Sequence, residues 1–165
     1  MGILAGHLGD WRGTNAFRLT PTDPPHEAAA TAQVSTAVRG LLTEVAYTWS
    51  HPESGEQTGL LVLAAADDPP GTVALWSDTF HQAPAAGWLT GSSGGGTVTL
   101  GYGYAGDWRW EVVIDASDPG RLRIRMDNVV PDSAAAHGYP PGTYWAMQAD
   151  LARQDTGSGS GQDLT

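Results

Sequence analysis

The sequence predicts an all-β chain: about ten antiparallel strands closing into an up-and-down barrel, preceded by a short N-terminal helix. Three observations carry this. Apolar and polar residues alternate with period two in several stretches, turn residues separate those stretches, and the links between neighbours are mostly a few residues long. Period two marks a strand with one buried and one wet face. Short links imply antiparallel hairpins between sequence neighbours. A barrel is preferred to a sandwich because closure leaves no strand edge to protect.

The elements follow in order. Ile3 to Leu8 reads as the brief helix. Trp11 to Leu19 places Trp11, Asn15, Phe17 and Leu19 on one face, against Arg12, Thr14 and Arg18. Ala29 to Val38 comes next. Leu41 to His51 then groups Leu41, Val45, Tyr47 and Trp49. Gln57 to Ala65, Thr72 to Asp78, Gly87 to Gly91 and Thr97 to Tyr104 are further strands. Trp108 to Asp115 sets Trp108, Trp110, Val112 and Ile114 against Arg109, Glu111 and Asp115. Arg121 to Asn128 sets Leu122, Ile124 and Met126 against Arg121, Arg123 and Arg125, and Gly142 to Arg153 is last. The separators HPESGE, DDPPG, SSGGG, YAGD and ASDPG carry turn chemistry. Residues 1–155 form one barrel domain, and 156–165, TGSGSGQDLT from Thr156 on, read as a flexible polar tail.

Composition narrows the function. The chain has 165 residues, room for one domain with a real core. Eighteen acidic residues face eight arginines, with no lysine, for a net charge of −10. That field repels phosphate, so no nucleic-acid partner is expected. Without cysteine, neither a disulfide framework nor a thiolate metal site can form. The longest apolar run, Leu60 to Ala66, falls short of the roughly 20 residues a spanning helix needs, so no membrane role is expected. MGILAGHLGD lacks a basic n-region and a long apolar core, which makes a cytoplasmic location the expectation.

Gly9, Asp10 and Trp11 near the N-terminus, followed by an antiparallel meander, resemble the calycin superfamily of lipocalins, fatty-acid-binding proteins and nitrobindin-like barrels. The lipocalin resemblance implies that Trp11 closes the barrel base and that a late arginine, here Arg153, packs over it. Fatty-acid-binding proteins insert a helical pair after the first strand, whereas TPTDPPHE is short and proline-broken. Gly13 extends the motif as in nitrobindin-like barrels, which hold haem through a histidine near the C-terminus. The last strand, TYWAMQADLAR, has no histidine, and His137 is the nearest candidate, so no cofactor is expected and haem is a minor variant. The segments WRGTNAFRL and YTW, with Trp76, Asp78, Phe80 and His81, and Asp127 to Val129, also resemble a bacterial barrel family. The resemblance carries over no catalytic residue.

Several residues stand out as site candidates. Asp78 and His81, in WSDTFH, pair a carboxylate with an imidazole, the makings of a general base. Three apart on a strand they point to opposite faces, so they meet only across a turn or bulge. The competing reading is a strand-terminal turn in which Asp78 bonds backbone amides. His51 and His81 lack the third ligand that zinc wants, so no metal is expected, and His51 before Pro52 reads as a turn residue. Trp49, Trp76, Trp88, Trp108, Trp110 and Trp145, with Tyr47, Tyr102 and Tyr104, read as barrel core, or as walls of a partly hollow cavity. Asn15 and Asn128 lie on apolar faces, where an inward amide must find a partner. Arg121, Arg123 and Arg125 form an outer stripe expected to pair with Glu111 and Asp115.

The expectation is therefore binding of a small, largely hydrophobic or aromatic ligand. Tyr47, Trp49, Tyr102, Trp108, Trp110 and Met126 would line the cavity, with Asn15 and Asn128 as polar anchors. A barrel isomerase, cyclase or hydrolase using Asp78 and His81 is the alternative from another class, and a filled-core scaffold without ligand is the third. Fold alone does not choose among them.

Overall fold

The computed structural model describes residues 2–68 and 70–154. Ten strands close into one barrel: β1 Gly9–Phe17, β2 His26–Ala37, β3 Leu42–His51, β4 Gly55–Asp67, β5 Pro70–Asp78, β6 Gly87–Gly94, β7 Thr97–Tyr104, β8 Trp108–Asp115, β9 Arg121–Val130 and β10 Gly142–Arg153. Each strand pairs antiparallel with its sequence neighbours. β1 joins β10 in the register Trp11↔Arg153 to Phe17↔Met147, which abolishes the edges. The predicted tail, 156–165, lies outside the described residues.

The predicted helix is a single 3-10 turn, Ala5–His7, and it forms the base. The Trp11 ring is fully buried, its indole N–H donates to the His7 carbonyl at 3.0 Å, and the His7 ring stacks on it at 5.3 Å. Arg153 covers the other side, 4.4 Å from the Trp11 ring centroid, and donates to the carbonyls of Leu8 and Gly6. Burying an indole of about 150–250 Å² outweighs a cation–π contact of about 0.5–2 kcal/mol. Arg153 thus locks the plug, and Trp11 itself is the plug. Gly13 lets β10 cross closely, since a Cβ there would overlap the Asp150 carbonyl.

The interior changes character along the axis. Val34, Val45, Leu63, Val98, Ile114, Leu122 and Leu151 fill the lower part, all buried. Towards the other end stand Phe17, Trp49, Trp76, Trp110, Asp78 and Asn128.

Four sequence expectations are corrected. Leu19 and Leu41 lie outside their strands and are exposed, because β1 ends at Phe17 and a 3-10 turn, Val38–Gly40, precedes β3. Trp88 is 61 % exposed on the outer face beside Leu75, not in the core, since Gly87 and Leu89 take the inward positions of β6. Trp145 also faces outward, under the Arg18 guanidinium at 4.0 Å, because a bulge between Trp145 and Met147 breaks the alternation of β10. In the arginine stripe, Arg123 pairs with Asp115 as expected, but Arg121 pairs with Asp150, Arg125 with Asp127, and Glu111 faces Arg109.

Candidate functional site

The end opposite Trp11 is built from the loops after β1, β3, β5, β7 and β9, and its two sides differ. On the β1–β5 side the loop after β5 turns inward. Asp78 ends β5, and its Oδ1 accepts the backbone amides of Phe80 (2.7 Å) and His81 (2.6 Å). That turn brings His81 Nδ1 to 3.2 Å from Asp78 Oδ2. The turn reading and the pairing reading are therefore both realised, the first producing the second.

Asp78 is a buried carboxylate with five donors. Besides the three above, Oδ2 accepts Tyr47 Oη at 3.0 Å and Trp49 Nε1 at 3.3 Å, and Trp76 Nε1 in turn donates to Tyr47 Oη at 2.9 Å. Gly59 makes this possible. It pairs with Tyr47 on one side and with Asp78 on the other, and a Cβ there would overlap the Tyr47 ring. Burial pushes the Asp78 carboxyl up, but the hydrogen bond and charge of His81, with the two amides, hold it below the usual carboxylate value. Burial, and then the Asp78 charge, push the Tyr47 phenol well above its ordinary value, so it stays a neutral donor.

The imidazole is enclosed. His81 stacks on Trp49 at 4.8 Å, lies 5.2 Å from Trp110 and 5.9 Å from Phe17, and Phe80 caps Phe17, Trp49 and His51. With the Asp78 carboxylate as acceptor at Nδ1, the neutral tautomer of the ring carries its lone pair on Nε2. That Nε2, Trp110 Nε1 and Asn15 Nδ2 are buried without a partner among the described residues, while Asn15 Oδ1 accepts Ser50 N at 3.4 Å. His51 is a turn residue, its Nδ1 accepting the amides of Glu53 and Ser54.

The β7–β10 side is open. A pocket of about 660 Å³ is lined by Leu19, Pro21, Ala105, Val130 and Pro140, by the rings of Tyr104, Trp108, Tyr139 and Tyr144, and by the polar residues Thr20, Thr22 and Asn128. Three of its polar side chains are linked to one another. Tyr104 Oη donates to Asn128 Oδ1 at 2.7 Å, Asn128 Nδ2 donates to Tyr144 Oη at 3.1 Å, and Tyr144 Oη donates to the Leu19 carbonyl at 3.1 Å. The chain of bonds ties β7, β9 and β10 to the loop after β1.

The expected cavity residues therefore divide. Trp108 and Asn128 line the open pocket, and Tyr102 packs beside Tyr104, its hydroxyl bonded to Gln82. Tyr47, Trp49, Trp110, Met126 and Asn15 belong to the packed interior. Tyr139, Tyr144 and Pro140 were not singled out by the sequence. The β10 bulge hides the parity of Tyr144, and Tyr139 sits in the loop after β9, where periodicity says nothing.

The nitrobindin-like resemblance implies haem, and the residues present do not fit it. β10 has no imidazole, His137 borders a pocket of only about 330 Å³, and the His81 ring is walled in by aromatic neighbours. Among the described residues no group of three His, Asp or Glu is placed to hold a metal ion, and no helix is long and apolar enough to cross a membrane.

Fold and site together define a closed ten-stranded antiparallel barrel with a plugged base and an aromatic mouth. No model of a known protein family matches the chain, and no curated protein matches it significantly.

Proposed function

We propose that the chain is a calycin-type barrel, similar in plan to lipocalins and nitrobindin-like proteins, that binds a small, largely apolar or aromatic ligand at its open end. The mouth pocket carries this reading: its volume of about 660 Å³ lies in the range of small-molecule sites, and rings, prolines and aliphatic side chains make up most of its wall. The closed base leaves the mouth as the way in, and the net charge of −10 supports a partner other than nucleic acid. Titration with the neutral fluorophore N-phenyl-naphthylamine tests it. Saturable one-to-one binding, weakened about tenfold by Trp108→Ala (~1.4 kcal/mol), is expected. A signal that never saturates, or one indifferent to Trp108, sinks the reading.

One observation favours a second reading. His81 Nε2 has no partner among the described residues while Asp78 Oδ2 lies 3.2 Å from Nδ1, the pairing a general base uses. A hydrolase of this kind would cleave para-nitrophenyl acetate, and both His81→Ala and Asp78→Asn would abolish the turnover without abolishing fluorophore binding. Equal rates in wild type and His81→Ala dispose of it.

A further inference from the structure

Two of the chain's tryptophans already carry a cation on the ring: Arg153 lies over Trp11 at 4.4 Å and Arg18 over Trp145 at 4.0 Å. The mouth rings, among the described residues, carry none. Tyr104 and Trp108 stand 6.2 Å apart at 46°, and Trp108 and Tyr139 stand 5.6 Å apart at 79°. Three rings meeting at such angles make a concave corner, and Tyr139 in that corner is 56 % exposed.

The polar chemistry of the pocket selects further. Among the described residues no arginine lines it, and the hydroxyls of Tyr104 and Tyr144 are committed to Asn128 and the Leu19 carbonyl. An anionic ligand would find no cationic side chain in that lining. Arg18 reaches the same rim but is directed outward, over Trp145 and onto the carbonyls of Trp145 and Pro21. A second, smaller pocket shares Ala105, Trp108 and Tyr139 with the first, and Asp107 and His137 are among its other lining residues. An acidic residue thus adjoins the ring wall. Aromatic faces backed by negative charge attract organic cations through the ring quadrupole.

We propose that the mouth takes an organic ammonium ion with an apolar body, the body in the larger pocket and the charged head against Trp108 and Tyr139 near Asp107. This rests on the binding reading above and names its ligand class.

The test compares two ligands of one shape: para-hydroxyphenyl-trimethylammonium and its uncharged carbon counterpart, para-tert-butylphenol. Both are titrated by calorimetry into the full chain at neutral pH. The cation is expected to bind at least about tenfold more tightly, in line with a desolvated cation–π contact. Added salt should weaken the cation and spare the neutral ligand. Asp107→Asn and Trp108→Leu, checked for an unchanged melting curve, should each narrow the gap several-fold. Equal affinities, or tighter binding of the phenol, overturn the choice of an ammonium and leave the apolar-ligand reading standing. Failure of both ligands to saturate overturns both readings.

Discussion

The base and the mouth of this barrel use the same residue types to opposite ends. At the base one tryptophan is wholly buried, its N–H has a backbone partner, and the chain supplies its own cation in Arg153. At the mouth the rings are half-exposed, tilted against one another, and covered by no arginine among the described residues. Completed contacts stabilise a fold, whereas incomplete ones leave something for a ligand to complete. Beside the mouth, on its closed side, lies Asp78, whose five donors make it the node holding the loop after β5 in place.

If this division holds, substitutions at the base cost stability and those at the mouth cost binding. Trp11→Ala should do the most damage, about 3–5 kcal/mol, read as a lowered urea midpoint. A loss under about 1 kcal/mol would mean the base is not the plug described here. Gly59→Ala should follow, at about 1–3 kcal/mol, because the new methyl displaces the Tyr47 ring from Asp78. The accompanying sign is a change in Trp49 and Trp76 fluorescence, since both indoles belong to the same network.

Asp78 gives a pH-dependent prediction. Its folded carboxyl titrates below the ordinary value, so the folded state binds fewer protons than the unfolded one as acid is added. The stability it contributes is fully present above the unfolded value of about 3.9 and is lost as pH falls through the lowered folded value. Urea midpoints measured down this range should fall in the wild type. Asp78→Asn should start lower and slope less, and parallel slopes would remove Asp78 from the account. Smallest of all in stability is Tyr139→Ala, expected within about 0.5 kcal/mol of wild type while ligand affinity drops.

The barrel was legible because alternation and turn residues are local signals, and all ten strands sit where they point. What escaped depends on partners. Gly87 to Gly91 offers either Trp88 or Leu89 to the core, and only the bulk of Trp76, paired with Gly87 and in contact with Tyr102, decides that the indole stays outside. The Asp78–His81 meeting was legible as a pair but not as a geometry, since a turn had to intervene. Gly59 carried a readable sign, a glycine inside a strand, yet its use appears only once Tyr47 and Asp78 flank it. At the mouth, Tyr139 and Tyr144 come together through a loop and a bulge, and neither has a period.

The chain has seven tryptophans, so an amide correlation spectrum gives each indole N–H its own reporter. Adding para-hydroxyphenyl-trimethylammonium and following those signals tests the division most directly. The Trp108 indole should move saturably while that of Trp11 stays still. Movement centred on Trp110, together with the side-chain amide of Asn15, would place the ligand beside His81 in the interior and contradict the mouth as the site. A spectrum unmoved at every indole would contradict it equally.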